Sequence, residues 1–166
     1  FRFPTSKDQI GSDAIHKNAD YSAAYITIST SDNNLKGYGI TFTAGKGNDI
    51  VVSCIKHFFS IFIGLTIEEI EKDIGKLWFD CVDHGQLRWL GPEKGVVHLA
   101  VSAMFNALWD IIAKKNRKPL WQFVVDSEPE IIINWLTFKH IEDVLSPEEA
   151  YKIISNNKKF KKTEHF

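Results

Sequence analysis

The chain has 166 residues, enough for one domain of ordinary size with a real core, since 44% of them are hydrophobic and 25% charged. A formal net charge of −1 lacks the basic surplus of a nucleic-acid binder. Two cysteines without a CxxC pairing point away from a zinc site or a disulfide framework and fit a reduced compartment, and the apolar run around Phe58 to Leu65 is too short to span a bilayer.

Phe1 to Phe3 alternates apolar and charged residues like the end of a half-buried strand, and Pro4 stops it. The chain does not start with Met and its ends read as cuts, which suggests a piece of a longer protein. A polar, flexible stretch follows, Gly11-Ser12-Asp13-Ala14 and then His16, Lys17 and Asn18, far longer than a two-residue turn. Such a loop is either slack or a lid. Tyr21 to Thr30 carries Tyr, Ile and Thr and predicts a strand. "SDNNLKG" is turn material, and Gly37 to Thr43 is the returning strand of an antiparallel meander.

Asn48 is positioned to cap a helix with apolar positions Ile50, Val51, Ile55, Phe58, Phe59 and Phe62. Gly64 ends it. Thr66 and Glu69 have the spacing of a capping box for a second helix through about Phe79. A loop from Asp83 to Gly95 leads to a long helix ending near Asn116, with an inward stripe of Val97, Ala100, Val101, Met104, Leu108, Ile111 and Ile112. Pro119 blocks its continuation, and "PLWQFVVD" supplies one or two further turns. Ile131 to Phe138, β-branched and aromatic, predicts a strand. Ser146-Pro147-Glu148-Glu149 predicts a helix start that fades into the lysine-rich tail. The order of elements is that of an α+β protein.

Most chemical signals are weak on inspection. "GYGITFTAGKG" lacks the GxxxxGK[ST] pattern of a phosphate loop and reads as a tight strand-to-helix turn. The six histidines show no metal-ligand spacing, with His57 and His98 on helices and His16 in the opening loop. Asn106 and Asp110 share a helix face beside Trp109, as part of a site or, more simply, as an anchor between elements. Arg88 and Trp89 are placed to meet either a ligand or a neighbouring domain. Lys158, Lys159, Lys161 and Lys162 form a basic cluster best explained as a solvated tail.

Three stretches, "RFPTS…GSDAIH…DYSAAYITI", "GYGITFTAGKGNDIVV" and "GQLRWLGPEKGVVHLA…NALWDIIAKKNRKPLWQFVVD", resemble the N-terminal region of the L-fuconate dehydratase group of the enolase superfamily. The likeness covers roughly residues 1 to 150, with His84 as a small departure. It implies an N-terminal capping domain over residues 1–130, a three-stranded meander with a helical bundle, and over residues 131–166 the first strand and helix of a truncated TIM-type barrel.

It further implies that the barrel, not this chain, supplies Mg²⁺ and the catalytic groups, and that Gly11, Ser12, Asp13 and Tyr21 contact the substrate. Short donors and acceptors of this kind suit the hydroxyls of a sugar acid. The implied partners are a small-molecule sugar acid and the protein's own barrel, with a homo-oligomer open and neither nucleic acid nor membrane expected. The expected location is intracellular, in cytoplasm or mitochondria. The alternative is a non-catalytic truncated paralogue serving as an interaction module.

Overall fold

In the computed structural model, residues 1–8, 10, 14–18, 20–32, 34–91 and 95–163 are described. Three strands, β1 (Arg2–Phe3), β2 (Tyr21–Ser29) and β3 (Lys36–Ala44), form an antiparallel sheet in the order β1-β2-β3. Arg2 pairs with Ser22, and β2 pairs with β3 from Tyr21↔Ala44 to Ser29↔Lys36. The helices are α1 (Asn48–Phe59), α2 (Ile67–Val82), α3 (Val96–Lys115), α4 (Leu120–Asp126), α5 (Pro129–Trp135) and α6 (Pro147–Thr163). The expected α+β meander with a helical bundle is present.

The core is built around α3. Val97, Ala100, Val101, Met104, Leu108, Ile111 and Ile112 are all buried on it, as the helical period predicts. Ala103 and Ala107 are fully buried too, because the sheet comes unusually close on that side. A Cβ built on Gly39 would lie 1.9 Å from the Ala103 carbonyl oxygen, and one on Gly37 would lie 2.0 Å from that of Ala107. Glycine at these two positions lets helix and strand backbones touch. By length and composition α3 is the one described helix that could cross a membrane, but most of it is buried here as the central core helix.

Polar side chains on α3 then seal the open edge of β3. Asp110 Oδ2 accepts from the Tyr38 backbone N–H at 2.9 Å, Asn106 Nδ2 donates to the Ile40 carbonyl at 3.4 Å, and Lys114 Nζ donates to the Lys36 carbonyl at 2.9 Å. The Asn106/Asp110 pair is therefore the anchor between elements, and it satisfies edge groups that would otherwise pair with another chain.

Several local expectations change. Gly47, at φ 95°, occupies the cap position of α1, and Asn48 is the first helical residue, its Nδ2 donating to the Ala23 carbonyl at 3.0 Å. α1 stops at Phe59, and Phe62 belongs to a short 3-10 turn. The Thr66/Glu69 capping box forms as expected.

The strand expected over Ile131–Phe138 is instead the helix α5 followed by turns. Pro129 at its start and Glu130 in its first turn favour helix. Tertiary packing then overrides the β-branched run: Trp135 lies 5.1 Å from Trp109 and stacks on Phe123 at 5.6 Å between ring centroids. Its indole N–H donates to the Glu71 carbonyl.

Candidate functional site

The sequence points to the loop between β1 and β2. Gly11, Ser12 and Asp13 lie outside the described residues, so the geometry begins at the two ends of that loop. On one side, Thr5–Asp8 forms a single 3-10 turn, started by Pro4 and closed by a Lys7 N–H to Pro4 carbonyl bond of 3.1 Å. On the other side Asp20 sits just before β2 and is almost fully buried.

One carboxylate oxygen of Asp20 joins the two ends. It accepts from the Ser6 backbone N–H at 3.1 Å and from the Ser6 hydroxyl. The Thr5 hydroxyl accepts from the Tyr21 backbone N–H at 3.2 Å, and the Gly45 N–H donates to the Asp20 carbonyl. Charge-assisted bonds to a buried carboxylate are the strong kind, so the loop leaves and re-enters the fold at a fixed, narrow neck.

Tyr21, the remaining predicted contact, is the first residue of β2 and stands at that neck, half-buried with its ring 5.0 Å from that of Phe42. Beside it, Phe1, Ser22, Gly45, Lys46, Gly47, Asn48 and Asp49 line a cavity of about 350 Å³. Asn48 Oδ1 is buried there with no hydrogen-bond partner among the described residues. The sequence pointed to no role for Asp20, and for Asn48 only to a helix cap. An acid just ahead of the strand was the available signal for Asp20. For Asn48 the expected cap masked its tie to β2.

The other sequence candidates lie elsewhere on the fold. Asp83 Oδ1 receives Lys139 Nζ at 2.6 Å, with Arg88 at 3.9 Å, and Trp89 projects into solvent. The hydrogen bond from Lys139 holds the Asp83 carboxyl below its usual range. Lys158 pairs with Glu128 at 2.8 Å, so the first lysine of the basic cluster binds the fold. His57 is exposed, and His98 packs half-buried against Trp78 with 5.9 Å between ring centroids.

No group of three His, Cys, Asp or Glu among the described residues is arranged to hold a metal ion. Glu68 and Glu71 on α2 are instead committed to Lys115, at 2.8 and 3.3 Å. These residues do not fit a magnesium site.

No protein-family model matches the chain. Individual relatives do. It is 48% identical over 158 residues to mitochondrial enolase superfamily member 1 of Xenopus laevis, covering 95% of this chain and 36% of that protein. It is 46% identical over 153 residues to L-galactonate dehydratase of Hypocrea jecorina, covering 92% and 34%. The crystal structure of human mitochondrial enolase superfamily member 1 superposes with a TM-score of 0.89 at 42% identity, covering 97% of this chain and 37% of that one. The chain thus spans little more than a third of the length of its relatives. Identity of 48% along 95% of this chain, with a structural match at 42% identity, makes this chain a member of the enolase superfamily, corresponding to its N-terminal region.

Proposed function

We propose that this chain is the specificity cap of an acid-sugar dehydratase acting on L-fuconate or a closely related sugar acid. Residues 1–130 form the cap and residues 131–166 lead toward a catalytic barrel. The observation that carries the reading is the 46% identity to an L-galactonate dehydratase along 92% of this chain. In this reading Gly11, Ser12 and Asp13 fold over the substrate and Tyr21 stands at the loop's root. Asp13 accepts from sugar hydroxyls, Ser12 both donates and accepts, and Gly11 lets the backbone approach closely. Such polar contacts reject analogues that lack a hydroxyl far more strongly than an apolar pocket does.

The anchored neck supports this role. A loop whose ends are tied by Asp20, Ser6 and Thr5 pays less entropy when it closes over a ligand than a loop with loose ends. Closure would also exclude water from the reaction. Mg²⁺ and the groups that remove the α-proton and expel the β-hydroxyl as water belong, in this reading, to the barrel. The 166-residue piece alone is then inactive. The names of the relatives favour an intracellular, mitochondrial setting.

The test is to supply the complete protein with Mg²⁺ and a panel of sugar acids and follow formation of the 2-keto-3-deoxy product. Turnover of L-fuconate or L-galactonate, lost with chelator, is expected. A correctly folded complete protein that dehydrates no sugar acid refutes the reading.

A further inference from the structure

Tyr21 is flanked on both sides by buried polar residues. Among the described residues only Asp20, Ser22 and Thr41 are both polar or charged and buried, and two of these three are the chain neighbours of Tyr21. Taking a carboxylate or a hydroxyl out of water costs free energy unless its hydrogen bonds are met inside the protein. Apolar residues would close this corner of the core without that cost.

The bonds these residues make converge on Tyr21. The Asp20 carboxylate accepts from the backbone N–H and the hydroxyl of Ser6, which ties it to the Thr5–Asp8 turn. The Asp20 main-chain carbonyl accepts from the Gly45 N–H. Ser22 Oγ donates to the Gly45 carbonyl at 3.2 Å and also meets Thr43 Oγ1. Gly45 is therefore bonded through its N–H to the residue before Tyr21 and through its carbonyl to the residue after it. Tyr21 itself donates its backbone N–H to Thr5 Oγ1 at 3.2 Å. The first residue of a strand ordinarily sits at a fraying end; here it is held from three directions.

We propose that Asp20 and Thr5 are positioning residues for Tyr21, fixing its backbone so that the phenol stands at one place relative to the sugar acid. The proposal rests on the reading of Tyr21 as a substrate contact. The clamp holds main-chain atoms and the two residues flanking Tyr21, so Asp20 and Thr5 act through Tyr21 and not on the ligand. A fully satisfied buried polar network rigidifies what it surrounds and specifies one arrangement, which an apolar corner would not. The phenol hydroxyl can both donate and accept, and its worth to a ligand depends on placement to a fraction of an ångström. Loosening the clamp should therefore lose the same binding that deleting the hydroxyl loses, and no more.

The experiment is steady-state kinetics of the complete protein with Mg²⁺ and L-fuconate. The variants are Tyr21→Phe, Asp20→Asn, Thr5→Val and the two double variants that add Tyr21→Phe. Asn keeps an oxygen for Ser6 without the charge, and Val keeps the shape of Thr without the acceptor for the Tyr21 N–H, so both spare the fold. Tyr21→Phe is expected to raise KM about 3- to 10-fold with kcat unchanged, as loss of one hydrogen bond to the bound sugar acid would. Asp20→Asn and Thr5→Val are each expected to raise KM by up to that factor, and by less than about 2-fold once Tyr21 is already Phe. A merely structural role would lower the folded fraction and appear in kcat, equally in both backgrounds. If Tyr21→Phe is impaired while either Asp20→Asn or Thr5→Val leaves KM at the native value, multiplies its effect with that of Tyr21→Phe, or acts on kcat alone, the positioning role is overturned and the contact by Tyr21 stands. Native KM in Tyr21→Phe, or no turnover by the native protein, removes the contact and the proposal with it.

Discussion

Gly39→Ala probes the contact on which the fold is built. The added Cβ would sit 1.9 Å from the Ala103 carbonyl oxygen and 3.0 Å from the Ala107 nitrogen, where ordinary contact begins at 3.4 Å. The atoms it meets are backbone atoms of a buried helix, so no rotamer change relieves the overlap. Strand and helix must part by roughly 1.5 Å in a tightly packed interior. A gap of about 0.5–1 Å already forfeits a quarter to a half of the dispersion attraction of the groups lining it, and α3 packs extensively along β3. Overpacking costs about 1–3 kcal/mol and occasionally more, while the lower entropy of the unfolded alanine chain returns about 0.4–1 kcal/mol. With a backbone clash at the upper end of that range, a net loss of about 2–2.6 kcal/mol is expected, which lowers the melting temperature by roughly 4–10 °C at this chain length. Thermal unfolding followed by circular dichroism measures it. Gly85→Ala is the control, since nothing lies within 4 Å of its Cβ position. If Gly39→Ala unfolds no earlier than Gly85→Ala, the close approach of α3 to the sheet is wrong.

Three further outcomes follow from particular contacts. Asp20→Ala removes the carboxylate that receives Ser6, a loss of about 1.5–3 kcal/mol for a charged hydrogen-bonding group, and should speed proteolysis between residues 8 and 20; an unchanged cleavage rate counts against the neck. Gly75→Ala places a Cβ 2.3 Å from the Asn134 carbonyl oxygen, so α5 should lift from α2 and tryptophan emission should shift to the red, whereas a native spectrum would contradict the observed packing of Trp135. Burial pushes the Cys81 thiol up to about 12 from an ordinary value near 9. The folded chain then keeps a proton that the unfolded chain releases above pH 9, so stability is full below that pH and declines as pH rises toward 12. Cys81 should stay unalkylated at pH 8 until denaturant is added, and rapid labelling of the native chain would refute its burial.

The meander, the capping box at Thr66, the helix start at Ser146 and the buried stripe of α3 were legible because each is local: a period, a cap or a turn residue decides it. The resemblance placed the chain in its superfamily from motifs spread over most of its length. What escaped was set by distant partners. Ile131 to Ile133 carries a strand's propensity, and it took Phe123 on the preceding helix together with the sequence-distant Trp109 and Gly75 to hold it as helix. Asp20 is one acid among 21 acidic residues until Ser6 is folded against it. The outward aromatics of β3 read as ordinary alternation, because period two does not say which face is the core; the approach of α3 to Gly37 and Gly39 decides that.

The most direct measurement of the cap's role is the kinetics of Asp13→Ala in the complete protein with L-fuconate as substrate, set beside its thermal unfolding. Losing a charged acceptor for a sugar hydroxyl should lower kcat/KM by about 10- to 100-fold, from roughly 1.5–3 kcal/mol of lost binding, with the melting temperature unmoved. Wild-type kcat/KM in that variant would contradict a substrate-reading role for the loop.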